Sequence, residues 1–128
     1  ISANPSLASV YELMDAKLES PGETLIPLCV DVRDAAKAHV RAYETAIASN
    51  QRYLTVSSTY SRQQFVDIIR ERFPSLVGRL PARRTEESEV AGGDNRKSIR
   101  DLGFAPRDLE ETVVDTVNRF LEIENIGH

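Results

Sequence analysis

Along this chain apolar residues recur mainly at the three- and four-residue spacing of amphipathic helices, interrupted by two short apolar runs. Residues 6–19 predict a helix. Leu7, Val10, Leu13, Met14 and Leu18 share a stripe, Ser9 and Glu12 have the capping-box offset, and Ser20-Pro21-Gly22 stops it. Leu25 to Val32 then reads as a short strand. Its paired part is expected to start at Leu28, because Pro27 has no N–H to give to a ladder. Residues 35–47 predict the clearest helix, with Asp34 as N-cap and Ala36, Val40, Tyr43 and Ile47 in one stripe. Ala35, Ala36, Ala38 and Ala42 keep that helix slim, so it is expected to lie flat on a sheet.

Arg52 to Val56 is rich in aromatic and β-branched residues and predicts a strand. A helix follows from Arg62 to Phe73, capped by Ser61 with Gln64 three residues on, striped by Phe65, Ile68, Ile69 and Phe73, and closed by Pro74. Residues 74–94 show no sustained period and read as an irregular connector. A helical turn from Lys97 to Leu102 leads to Gly103. The last helix starts after Asp108, with Glu111 at the capping-box offset, and runs to about Glu122. It is expected to bury Leu109, Val113, Val117, Phe120 and Leu121. The fold class is therefore α/β, mostly helical with a few short strands.

Composition narrows this. At 128 residues and 41% hydrophobic, the chain fits one compact domain, with no repeat and no linker long enough to divide it. The net charge of −4 is dispersed, with no basic tract to neutralise phosphates, so no nucleic-acid partner is expected. No apolar run reaches the roughly 18–20 residues that span a bilayer, and no membrane association is expected. The single Cys29 cannot form an internal disulfide, which points to a reducing, cytoplasmic compartment. The chain begins with Ile, as a piece of a longer protein would.

Several chemistries lack the residues they need. The six glycines include no G-x-G or G-x-x-G pair of the kind that brings backbone N–H groups to phosphates. His39 and His128 are far apart and Cys29 has no Cys partner, so no metal site is expected. Cys29 reads as a small core residue, and His39 as a helix residue touching a neighbouring element. No tyrosine has Lys four residues on, the helical spacing that lowers a phenol's pKa. Asp31-Val32-Arg33-Asp34 is the densest charged cluster near a strand end. Paired carboxylates could do acid/base work, but Asp34 capping a helix, with Arg33 balancing two acids, is the simpler account. Ser57-Ser58-Thr59 likewise fits a turn leading to the Ser61 cap.

The order of the segments carries more. Asp31-Val32-Arg33-Asp34-Ala35-Ala36-Lys37-Ala38-His39-Val40 resembles the VDVRD-x-A-x-AH motif of extended short-chain dehydrogenases/reductases. Agreement continues through Arg52–Ser57, Ile68–Pro74, Asp94–Ser98, Leu102-Gly103-Phe104 and Leu109–Thr116, in family order. The branch it resembles contains dihydroflavonol reductases, cinnamoyl-CoA reductases and fungal NADPH-dependent aldehyde and ketone reductases.

The resemblance implies the C-terminal portion of such an enzyme. Residues 1–128 would form a single substrate-binding lobe, including the last helix and strand of the nucleotide-binding sheet. The N-terminal Rossmann half, with the glycine fingerprint, the catalytic Ser and the Tyr-Lys pair, would lie upstream. No catalytic or cofactor-binding residue is therefore expected here. NADP would serve the parent enzyme and not bind this segment alone, and the parent's substrate would be a small carbonyl. By position in the family, Asn4, Leu7 and Ser9 are the substrate-binding candidates. An Ala-rich helix made to cover a larger sheet would be left bare, which predicts self-association or repacking. The alternatives are a self-contained protein-interaction module and a small hydrolytic enzyme using Asp31 and Asp34.

Overall fold

The computed structural model describes residues 4–86 and 92–126. Residues 1–3, part of the connector 74–94 and His128 thus lie outside the described residues. In chain order the elements are α1 (Pro5–Tyr11), β1 (Leu28–Cys29), α2 (Val32–Glu44), β2 (Ser58–Thr59), α3 (Arg62–Arg72), α4 (Arg96–Leu102) and α5 (Leu109–Ile126). Short 3-10 turns cover Glu12–Met14, Ala46–Ala48 and Pro74–Arg79. The fold is mostly helical with two short strands among the described residues. Two compact units divide it: residues 1–25, 61–88 and 110–128, and residues 26–60 and 89–109.

The first unit is built around helix stripes. On α5, Val113, Val117 and Phe120 are buried, as the spacing predicts, whereas Leu121 is half-buried. Leu13, Met14, Phe65, Val66 and Ile69 are buried as well. Tyr11 meets the Phe120 ring edge-on, with centroids 5.3 Å apart, an arrangement favoured by the ring quadrupoles. The capping box on α3 forms as expected. Ser61 accepts from the Gln64 N–H at 3.0 Å, and the Gln64 side chain accepts from the Ser61 N–H at 2.9 Å. α1 is shorter than its stripe suggested, because Asn4 rather than Ser9 supplies the cap and the chain tightens into a 3-10 turn at Glu12. Leu7 consequently stays exposed.

In this unit Arg79 fastens the 3-10 turn that the irregular connector turns out to contain. Its guanidinium donates to both Glu124 carboxylate oxygens, at 2.9 and 2.6 Å, and to the Met14 carbonyl at 2.8 Å. The Tyr11 hydroxyl donates to the same carboxylate at 2.8 Å, which raises the pKa of that phenol.

The second unit departs further from expectation. β1 keeps its expected start at Leu28 but ends at Cys29, pairing antiparallel with β2 in the register Leu28–Thr59 and Cys29–Ser58. Beyond it Asp31, not Asp34, caps α2, accepting from the Arg33 N–H at 2.8 Å, so Val32 is drawn into the helix. The strand expected at Arg52–Val56 is not formed. The Leu54 carbonyl accepts from the Ser98 hydroxyl at 2.7 Å and the Val56 carbonyl from the Asn95 amide at 2.7 Å, both from the α4 region. Side chains thus meet a need that a neighbouring strand would otherwise meet. Gly93 packs where a Cβ would come within 3.2–3.4 Å of Leu54, Val56 and Leu28. Gly103, at φ 62°, ends α4 in the left-handed conformation that glycine adopts without a Cβ penalty.

The apolar stripe of α2 does not lie on a sheet. The helix ends at Glu44, short of the predicted Ile47, which falls in the following 3-10 turn; Val40 is 55% exposed, Tyr43 94% and Ile47 64%, while the buried residues of α2 are Asp34 and Ala38. A stripe recruits only what the chain provides, and among the described residues no sheet reaches it.

Candidate functional site

Of the sequence-predicted substrate residues, Asn4 stands at the start of α1, where its carboxamide accepts from the N–H groups of Ser6 at 3.1 Å and Leu7 at 3.2 Å. That is N-capping geometry. Ser9 accepts from the Arg62 guanidinium at 2.7 Å. Sequence reasoning missed Arg62, which is a hub of the first unit. Besides Ser9, its side chain donates to the Pro21 carbonyl at 2.6 Å and lies 3.7 Å from Glu12, and its backbone N–H donates to Thr24 at 2.8 Å. Only its neighbour Ser61 was legible as a cap; contacts to residues 38 to 53 positions away leave no local trace.

The Asp31/Asp34 cluster is separated by geometry into two ion pairs. Asp31 is held by its own neighbour, whose guanidinium donates through Nε at 2.9 Å and Nη2 at 2.7 Å. Asp34, 2% exposed, accepts from the Arg107 backbone N–H at 2.7 Å and is also bound by the Arg107 guanidinium. The expectation that Arg33 balances both acids is corrected: Arg107 serves the second. Both carboxylates are thus held in position by charge-assisted hydrogen bonds.

The other single residues resolve into structure. Cys29 is half-buried rather than core, its Sγ 3.3 Å from the Ser58 hydroxyl across the strand pair. His39 is exposed and bonds back to the Ala35 carbonyl of its own helix at 2.7 Å, not to a neighbouring element. No three His, Cys, Asp or Glu side chains converge as a metal site among the described residues. No helix among them is long and apolar enough to cross a membrane.

A tyrosine–lysine contact does form in the second unit, by folding rather than by helical spacing. The Lys97 ammonium lies 3.7 Å from the centre of the Tyr53 ring, and the Tyr53 hydroxyl donates to Asp101 at 3.2 Å. Lys97 also stands 3.3 Å from that carboxylate. The hydrogen bond from Arg100, above all, holds the Asp101 carboxyl below the usual carboxylate range. Because the ammonium faces the ring and not the phenol oxygen, the arrangement is a clasp for α4 and not a proton-delivery pair.

The second unit also exposes apolar side chains on α2, Val40 and Tyr43 among them. No family model matches this chain. Individual proteins do. It is 35% identical over 126 residues to the NADPH-dependent methylglyoxal reductase of Saccharomyces cerevisiae, covering 94% of this chain and 37% of that protein. It is 40% identical over 96 residues to an Aspergillus niger ketoreductase, covering 73% of this chain and 28% of that protein. The crystal structure of Gre2 from Candida albicans in complex with NADPH superposes with a TM-score of 0.71 at 34% identity, covering 93% of this chain and 37% of that one.

This chain belongs to the extended short-chain dehydrogenase/reductase family. Within it, the similarity is to an NADPH-dependent methylglyoxal reductase and a ketoreductase, and the chain covers 28–37% of the length of these relatives. Its architecture is that of part of a Rossmann-type reductase.

Proposed function

We propose that these residues are the C-terminal, substrate-binding portion of an NADPH-dependent reductase of small aldehydes or ketones. In this reading the N-terminal Rossmann half supplies the glycine loop and the Tyr-Lys pair, holds the NADPH and docks on the bare stripe of α2. The segment alone transfers no hydride. Helix α2 and residues 52–56 are then the last helix and strand of the nucleotide-binding sheet, and the remaining segments the substrate lobe. Asn4, Leu7 and Ser9 would line the carbonyl pocket, Ser9 with its hydroxyl oriented by Arg62.

The observation that carries this reading is the match of nearly the whole chain to about 37% of an NADPH-dependent reductase. The exposed α2 stripe supports it independently, since an apolar helix face of this kind is normally covered. The same stripe favours the second reading, a protein-interaction module, in which an unrelated partner covers it. Joining an upstream Rossmann half to this chain and following NADPH oxidation with methylglyoxal separates the two. The 128 residues alone should leave NADPH unconsumed, and the joined protein should oxidise it with a KM raised by Ser9→Ala. A joined protein that folds and binds NADPH yet reduces no carbonyl would overturn the reductase reading.

A further inference from the structure

A hydroxyl has one proton to give and two lone pairs to accept with, and its neighbours decide which it uses. At Ser9 the neighbour is Arg62, the first residue of α3, whose Nη1 donates to the Ser9 hydroxyl at 2.7 Å. A guanidinium has only donors, so Ser9 can only accept from it, and the Ser9 proton is directed elsewhere. Thr116 shows the usual alternative: its hydroxyl donates to the Thr112 carbonyl one turn back on α5, at 2.7 Å. Ser9 makes no such bond in α1, and among the described residues nothing accepts its proton. A hydroxyl polarised by a cation is moreover a stronger donor than a free one.

The cation itself is fixed. The Arg62 side chain is 18% exposed, its Nε donates to the Pro21 carbonyl at 2.6 Å, and its backbone N–H is tied to Thr24 at 2.8 Å. Ser9 is half-buried, neither sealed in the core nor free in solvent.

We infer that Arg62 is a positioning residue: it makes Ser9 a one-way donor, and that donor selects carbonyl compounds carrying a second oxygen near the carbonyl that is reduced. This rests on the reductase reading and on the place it gives Ser9 in the pocket. There the reacting oxygen is served by the Tyr-Lys pair of the other half, which leaves Ser9 for an ether, hydroxyl or further carbonyl oxygen of the same molecule. Arg62 acts through Ser9 alone.

The joined protein assayed with methoxyacetaldehyde and with butanal tests it, since the two match in chain length and differ in one ether oxygen. The ratio of kcat/KM for methoxyacetaldehyde to that for butanal should fall about fivefold or more in Ser9→Ala, the worth of one hydrogen bond, and at least about twofold in Arg62→Met, which frees the hydroxyl to turn back on its own helix. Intrinsic reactivity cancels, because each variant is compared with the parent. In the Ser9→Ala background Arg62→Met should move the ratio no further. Loss of packing alone would lower both substrates together and leave the ratio where it was. Ser9→Ala, a change favoured in a helix, keeps the test open should Arg62→Met not fold. A ratio unchanged in either single variant, or a further fall in the double, would overturn the inference and leave the reductase reading intact. A joined protein that reduces neither aldehyde would defeat both.

Discussion

Two helices with similar apolar stripes meet opposite fates in this molecule. On α5 the stripe is hidden, with Val113 and Val117 fully buried and Phe120 2% exposed. On α2 the stripe of Val40 and Tyr43, continued by Ile47 in the turn after it, stands in solvent, and the buried side is the one carrying Asp34 and Ala38. The contrast teaches that periodicity identifies a face made to be covered but not what covers it. For α5 the covering residues lie in its own unit. For α2 they do not, among the described residues. Full burial of a Val, Ile or similar side chain contributes about 1.5–3 kcal/mol, so a surface docking on this stripe gains several kcal/mol before association costs.

The contrast can be broken at its strongest point by truncation. Phe120→Ala should destabilise the chain by about 3–5 kcal/mol in chemical denaturation, the cost of a cavity in a packed core. Tyr43→Ala, removing a ring of comparable size from α2, should change stability by less than about 0.5 kcal/mol. Comparable losses at both positions would mean that the α2 stripe is covered after all.

The second unit's own cohesion comes next. Arg107→Ala leaves the Asp34 carboxylate buried without its cation, and about 3 kcal/mol of stability should be lost. Retention of full stability would show that Asp34 is solvated by other means.

The smallest effect lies in the first unit. Burial acts to raise the Asp67 pKa, but hydrogen bonds from Arg84 and Gln63, with the charges of Arg84 and Arg70, outweigh it and leave the group below its ordinary value. A carboxyl lowered in the folded state contributes stability that is complete above its unfolded pKa, about 4. That contribution is lost as pH falls through the lower, folded value. Asp67→Asn should therefore lower stability slightly above about pH 5, where the contribution is complete, and flatten the acid limb below it, as denaturation followed across pH would show.

These comparisons also show what was legible in the sequence. Some local signals held: the Ser61–Gln64 capping box, Gly103 after α4, most of the α5 stripe and the start of β1 at Leu28 are each encoded within a few residues, whereas the Ser9–Glu12 capping pattern gave way to Asn4. Choices among local alternatives were less so. Asp31 and Asp34 are both competent caps, and what separates them is Arg107, 73 positions away, which claims Asp34. The β-favouring run Arg52–Val56 lacks a strand to pair with, and Asn95 and Ser98 satisfy its carbonyls instead. Arg62 was silent because its partners Ser9, Pro21 and Thr24 are remote in sequence. The family resemblance was legible because it rests on the order of many weak blocks, none of which needs a contact to be recognised.

The central claim, that the α2 stripe is an uncovered docking face, is tested most directly by sedimentation velocity in the presence of the neutral dye Nile red. The account predicts that the chain self-associates or binds the dye, and that Tyr43→Ser with Ile47→Ser suppresses both while helicity is retained. A strictly monomeric chain that binds no dye at any concentration would contradict it.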